Sequence, residues 1–299
     1  MASTTVNDAA KALKALHVPK SPVVLTNVWD VASLNTVLSL NNDASSGSGS
    51  KPVTAIATAS WAIAASEGLA DEDLTWEQNL AAISRVAPVA RAAGLPLSCD
   101  LQDGYGARID EVVAAAVRAG ASGANIEDSI PAAGFGRGIA GSLYPVDEQV
   151  RRLRGALKAA AEAGCPDFVL NARCDVFCLD DDDGTNGRAT TARLDDETRL
   201  REAIARGKAF LEAGATTVFY WGGPRGGLSR ESVRALVEAL DGRVAVLLSA
   251  YAGGPTVKEL GELGVARISI GPTLFRVAMA AAARAAKGIL VDAGGMPTI

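Results

Sequence analysis

The chain alternates short apolar runs with longer stretches in which apolar residues recur every three or four positions. The runs predict buried strands and the longer stretches predict amphipathic helices. Val6–Leu16 predicts the first helix, with Ala10, Leu13 and Leu16 on one face, Asn7 or Asp8 as its cap, and Pro19 and Pro22 beyond its end. Pro22–Asn27 predicts a strand, followed by Trp29 and a helix over Val31–Leu40. The low-complexity segment 41–52 predicts a flexible surface loop rather than a domain boundary, because Val53–Thr58 is again a strand. A helix over Thr75–Ala93 follows, bent at Pro88.

The alternation continues to the end of the chain. Further strands run out at Asp100, Glu127, Arg173, Tyr220, Ser249 and Gly271. Helices follow them over Ile109–Ala119, Asp147–Ala163, Glu197–Ala213, Ser229–Leu240, Thr256–Leu263 and Thr273–Lys287. The strands lack polar alternation, so both faces are buried, as in a parallel sheet. Eight strand–helix units close a (β/α)8 TIM barrel. Residues 1–299 are expected to form one such domain, with a tail from about residue 289. A doubly wound nucleotide-binding sheet is not supported: Gly104-Tyr105-Gly106 lacks a third glycine, and no Lys-Ser/Thr completes Gly134–Gly138.

The 299 residues are 48% hydrophobic and 21% charged with net charge −5, an ordinary globular balance. Without a basic stripe, nucleic acid and anionic membrane are poor partners. No run of about 18 apolar residues occurs, and Met1–Leu16 is polar and amphipathic rather than a secretory leader, so a cytoplasmic protein with reduced thiols is expected. Cys99, Cys165, Cys174 and Cys178 complete no metal-binding spacing and are expected to be incidental. The single histidine, His17, stands in a connector and is expected at the surface or in packing. Its isolation excludes His-triad hydrolases and His-rich zinc sites. No lysine stands at a strand end, which argues against Schiff-base chemistry.

In such a barrel, chemistry gathers at the C-terminal ends of the strands. There the sequence places Ser60, then Asp100, Gln102 and Asp103, then Glu127 and Asp128, then Arg173 and Asp175, with Tyr220, Trp221 and Ser249 beyond. Carboxylate oxygens suit Mg²⁺ or Mn²⁺, and a guanidinium suits a carboxylate or phosphate. Together they predict a site for a small oxyanionic ligand bound with a divalent metal. Structural roles compete: Asp100 as a helix cap, Asp128 as a cap or turn, Asp103 satisfying its own glycine turn, Arg173 pairing with Glu127. The Asp180–Asp183 run lacks EF-hand spacing and predicts a solvated loop. With no histidine at hand, proton transfer falls to a carboxylate, Tyr, Cys or metal-bound water.

Five ordered stretches, ATASWAIAASEGLADEDLTW, LSCDLQDGYG, ANIEDS, LNARCDVF and ARISIGPTLFR, resemble the isocitrate lyase/phosphoenolpyruvate mutase superfamily. The likeness runs from about Leu16 to Leu290 and is strongest to its small bacterial and fungal members. It implies an α/β barrel whose last helix is swapped between subunits of a homodimer or homotetramer. It implies Mg²⁺ and an enolate or enolpyruvate intermediate. On this resemblance Asp100 is the direct metal ligand, and Gln102 and Glu127 hold the metal through waters. Arg173 grips the ligand carboxylate, and Asp71 lies near the reacting group. Ser60 and Trp61 belong to the segment that binds the ligand's oxyanion end, with Gly104 as a further ligand-binding position.

Two departures bear on the chemistry. Gln102 stands where the family usually has Asp or Glu, which removes one negative charge. The loop SIPAAGFGRGIAGSLYP has no Cys, Lys or His, where isocitrate-cleaving members carry a Lys-Arg/Lys-Cys-Gly-His run; Arg137 is its only cation. Cleavage of isocitrate or methylisocitrate is therefore not expected, and the lysine of phosphonomutases is missing too. The expected activity is a Mg²⁺-dependent carbon–carbon lyase or decarboxylase acting on a small α-oxo or α-hydroxy dicarboxylate, such as oxaloacetate or a substituted malate. The alternatives are phosphoenolpyruvate mutase or phosphonopyruvate hydrolase chemistry, and a catalytically weakened binding barrel.

Overall fold

The computed structural model describes residues 5–43, 51–179, 194–223, 227–292 and 295. Eight strands, β1 Val23–Val28, β2 Ile56–Thr58, β3 Leu97–Asp100, β4 Gly123–Glu127, β5 Val169–Arg173, β6 Thr217–Tyr220, β7 Val244–Leu247 and β8 Arg267–Ser269, pair in sequence order. Every pairing is parallel and β8 returns to β1, so the expected TIM barrel closes. The helices are α1 Val6–Ala15, α2 Val31–Asp43, α3 Ser60–Ser66, α4 Trp76–Ala92, α5 Ile109–Ala119, α6 Gly138–Ser142, α7 Val146–Glu162, α8 Asp196–Glu212, α9 Arg230–Ala239, α10 Val257–Leu263 and α11 Thr273–Leu290. No helix among the described residues is long and apolar enough to cross a membrane.

Strands β1, β2 and β5 send residues to two different cores. Ile56, Leu97, Ile126, Leu170, Val218 and Ile268 merge with the surrounding helices. Val23, Leu25, Ala55, Ala57 and Val169 form a small separate cluster with Leu13 of α1. Val23, Gly123 and Val169 open their strands, so Leu13 plugs the N-terminal end of the barrel. Burying a leucine fully stabilises by roughly 1.5–3 kcal/mol. Gly123 makes room for the plug: a Cβ there would lie 2.5 Å from the Val169 carbonyl oxygen and 3.2 Å from Leu13.

Several local expectations are corrected. Thr5, not Asn7 or Asp8, caps α1; Asp8 closes the capping box from the third position, and Asn7 bonds Asp167. Strand β2 is shorter than Val53–Thr58, because Val53 is held by Asn41 across the base of the 41–52 segment. Helix α4 holds Pro88 in its interior, as expected. Helix α6 lies in the loop expected after the fourth strand, and α3 occupies a stretch to which the sequence assigned no element. Residues 44–50, Asp180–Asp183 and most of the C-terminal tail lie outside the described residues. The four cysteines are buried and free, without a partner cluster among the described residues.

Helix α11 differs from the others, since none of its residues is buried. Its start is tied to the barrel rim by Phe275, which packs edge-on against Trp29 at 5.1 Å and Trp61 at 6.0 Å. Beyond it, Val277, Met279 and Leu290 are exposed, and these are the residues an exchange between subunits would cover.

Candidate active site

The sheet brings the expected groups together at the C-terminal mouth. Asp100 ends β3, and its Oδ2 accepts from both the backbone amide and the hydroxyl of Ser60, each at 3.1 Å. Its own backbone is fixed by Thr58 Oγ1, which accepts from Asp100 N at 2.9 Å, and by Asn79 of α4, which donates to Asp100 O at 2.9 Å. The Ser60 amide, expected to receive the ligand's oxyanion, thus points at Asp100 in this state. Trp61 faces the rim instead, under the Arg276 guanidinium at 4.5 Å.

Asp71 lies in the single turn between α3 and α4. Gln102 donates from Nε2 to both Asp71 O and Asp71 Oδ1, at 2.6 and 3.1 Å. Its Oε1, the atom able to accept from a bound water, is on the other arm of the amide. Burial raises the Asp71 carboxyl above its ordinary range, and the neighbouring Asp100 charge raises it further. Glu127 ends β4 and is raised well above its ordinary range, first by burial, with Asp175, Asp100 and Asp71 adding to the effect and Arg173 opposing it.

Arg173 ends β5 and is braced on two sides. Its Nη1 pairs with Glu127 Oε2 at 2.6 Å and its Nε with Asp175 Oδ1 at 2.7 Å. The pairing with Glu127 weighed against a ligand role is therefore present. Both carboxylates hold the guanidinium at the mouth of the barrel. Asp175 Oδ1 also accepts from Trp221 Nε1 at 2.9 Å, and the indole lies 5.3 Å beneath the guanidinium carbon. Asp128 is structural: its carboxylate accepts from Asp175 N and pairs with Arg206.

The turn after β3 is held in a demanding shape. Gln102 and Tyr105 adopt φ of 52° and 58°, a region costly to residues with a Cβ. Asp103 fixes the turn by accepting from the amides of Tyr105 and Gly106 and from Tyr144 Oη, with Arg152 beside it. Gly104 has φ of 87°, and a Cβ there would lie 2.6 Å from Ile109. Its amide donates to Leu101 O within the turn.

The donor set can be tested against a divalent cation. It is all oxygen; beyond burial, the Asp100 charge raises Asp71, and Asp175, Asp100 and Asp71 raise Glu127, a repulsion that a bound cation would relieve. Among the described residues no three such groups are close enough to ligate one ion directly. Both Glu127 oxygens are engaged, one by Arg173 and one by Ser129 Oγ at 2.9 Å. This fits an ion held by one carboxylate and otherwise by waters, the habit of Mg²⁺. Asn79 was missed from the sequence, although a polar residue in register with the buried Ile83, Val86 and Ala90 of α4 was a visible signal.

Comparison with known proteins places the chain in a family. Residues 13–290 match the phosphoenolpyruvate phosphomutase family. A solved structure from Burkholderia cenocepacia J2315, a candidate phosphonomutase, is 36% identical with TM-score 0.74, covering 94% of this chain and 98% of its own. The 2-methylisocitrate lyase of Escherichia coli K12 is 31% identical over 52% of this chain and 46% of its own length. The oxaloacetate decarboxylase of Rhodopseudomonas palustris BisB18 is 26% identical over 68% of this chain and 60% of its own length. The chain therefore belongs to the phosphoenolpyruvate phosphomutase family, within the isocitrate lyase/phosphoenolpyruvate mutase superfamily.

Proposed function

We propose that this protein is a Mg²⁺- or Mn²⁺-dependent carbon–carbon lyase or decarboxylase acting on a small α-oxo or α-hydroxy dicarboxylate of the oxaloacetate or substituted-malate type. Its standing as an enzyme of the lyase and mutase superfamily follows from its family. The substrate class is the proposal. The observation that supports it is the gathering of three carboxylates, Asp71, Asp100 and Glu127, at one mouth with the guanidinium of Arg173, which pairs with Glu127 and acts on Asp71.

Asp100 would hold the cation, with Glu127 and Gln102 acting through waters. A bound cation would supply positive charge to an oxygen that becomes anionic as the bond breaks. Arg173 binds and orients the substrate carboxylate. Asp175 and Glu127 keep that guanidinium from swinging, which preserves the geometry of attack. Asp71, raised by burial, retains a proton to higher pH than an ordinary carboxyl and would manage proton transfer to the substrate. Decarboxylation is attractive because its carbanion equivalent can be protonated from solvent, without the cysteine absent from residues 129–144.

The test is turnover of a panel of such acids with Mg²⁺, comparing the wild type with Asp100→Ala. Loss of at least about a thousandfold in kcat/KM is expected on removing a group of this kind. Activity that survives both EDTA and the substitution would sink the reading. The Burkholderia relative favours a second reading, phosphorus–carbon chemistry, which phosphorus NMR on phosphonopyruvate separates from the first.

A further inference from the structure

The barrel interior below the mouth contains a cation that the proposed chemistry does not use. Arg267 of β8 is 0% exposed, and its Nη2 reaches across the barrel to Ser98 Oγ at 3.3 Å and Asn125 Oδ1 at 3.0 Å. Ser98 precedes Asp100 by two residues on β3, and Asn125 precedes Glu127 by two on β4, so each pair shares a strand face. Arg267 therefore lies one layer beneath two proposed metal-holding carboxylates. Asn125 Oδ1 also accepts from Asn171 Nδ2 at 2.7 Å, and Asn171 Oδ1 accepts from Thr217 Oγ1 at 2.6 Å, so the layer is oriented to present acceptors to the guanidinium.

No carboxylate among the described residues pairs with Arg267, and its Nε and Nη1 have no hydrogen-bond partner. A buried, unpaired cation costs several kcal/mol as a rule, and an apolar side chain would fill the space more cheaply. Burial pushes the guanidinium down to about 9, while the charge of Asp100 pulls it back up; it is charged at neutral pH. The His17 ring also feels the Arg267 charge. Its Nδ1 bonds Leu13 O at 2.7 Å, which leaves Nε2 as the lone-pair nitrogen of the neutral ring, buried and unpartnered. Burial, and then the charge of Arg267, hold that ring down at about 4.

We propose that Arg267 is a positioning residue of the site: a positive charge sealed in the barrel beneath Asp100 and Glu127, which weakens the hold on the cation and strengthens the hold on the anionic substrate. It acts through the field it sets up and through Ser98 and Asn125, and it touches no ligand. The inference rests on the reading of the mouth as a site for a cation and a carboxylate.

The test uses the full chain with two probes: Mn²⁺ alone, followed by electron paramagnetic resonance, and oxalate at saturating Mn²⁺, followed by calorimetry. In Arg267→Met, Mn²⁺ should bind about tenfold more tightly and oxalate about tenfold more weakly, the direction and size expected on removing one nearby unit charge. Arg267→Lys, which keeps the charge, should restore both towards wild type. If the methionine variant does not fold, Asn125→Asp neutralises the guanidinium in place and should give the same opposed shifts. A purely structural role predicts that both affinities fall together, and that outcome, or no change in either, overturns the inference. Failure of the wild type to bind either probe overturns this inference together with the proposed function.

Discussion

Asp175 gives Arg173 its fixed direction, because one oxygen serves Arg173 Nε, Trp221 Nε1 and the Cys178 thiol together. Asp175→Asn removes the charge and keeps the shape, so kcat/KM should fall roughly 10–100-fold, as for other outer partners of site groups. Steady-state kinetics on whichever acid the panel identifies would check it. At Gln102 the expectation runs the other way. Gln102→Glu adds a carboxylate beside Asp71 and Asp100, so calorimetry should find Mg²⁺ bound about tenfold more tightly. It also deletes the donor to Asp71, at a cost of about 1–3 kcal/mol in stability measured by denaturant unfolding. Asp100, Glu127 and Arg173 were legible in the sequence because a strand end fixes where a side chain points. Arg267 and His17 were not, because their partners lie across the barrel or beneath it, and no local spacing records a contact between residues 98 and 267.

At the level of elements, α8 is bolted to the loop after β4 by one ion pair. Arg206 is 3% exposed at its side chain and pairs with the fully buried Asp128 at 3.1 Å, while also donating to Tyr144 O. Arg206→Met should cost roughly 3–5 kcal/mol, because it leaves a buried charge without its partner. In the wild type, burial and the Asp175 charge raise Asp128 to about 7, against the pull of Arg206. An acid raised in the folded state loses stability as pH climbs from its unfolded range, near 4, to its folded one. Removing Arg206 raises Asp128 further, so the variant's deficit should be largest above pH about 7 and shrink towards acid. Thermal melts of both proteins across that window read the sign. The long helices were legible from their periodicity, α5 to the residue. Helices α3 and α6, of 7 and 5 residues, are too short for a period to show.

Across the whole molecule, the closed sheet leaves no strand edge, and what stays unsatisfied is α11. Val277, Met279, Leu290 and Val291 are 58, 47, 82 and 72% exposed, apolar side chains left in water along and just beyond this helix. We propose that a second copy covers it, in keeping with the homodimer or homotetramer that the resemblance implies. Light scattering should give a mass above that of one chain, and Val277→Asp with Leu290→Asp should shift it towards the monomer. Phe275 gives this surface a reach beyond assembly, because it sits between Trp29 and Trp61, one residue from Ser60. If subunits hold α11 in place, ligand affinity and self-association are thermodynamically linked, and each alters the other by the same factor. Dilution would then act as an inhibitor, and a ligand at the mouth would act as an assembly factor.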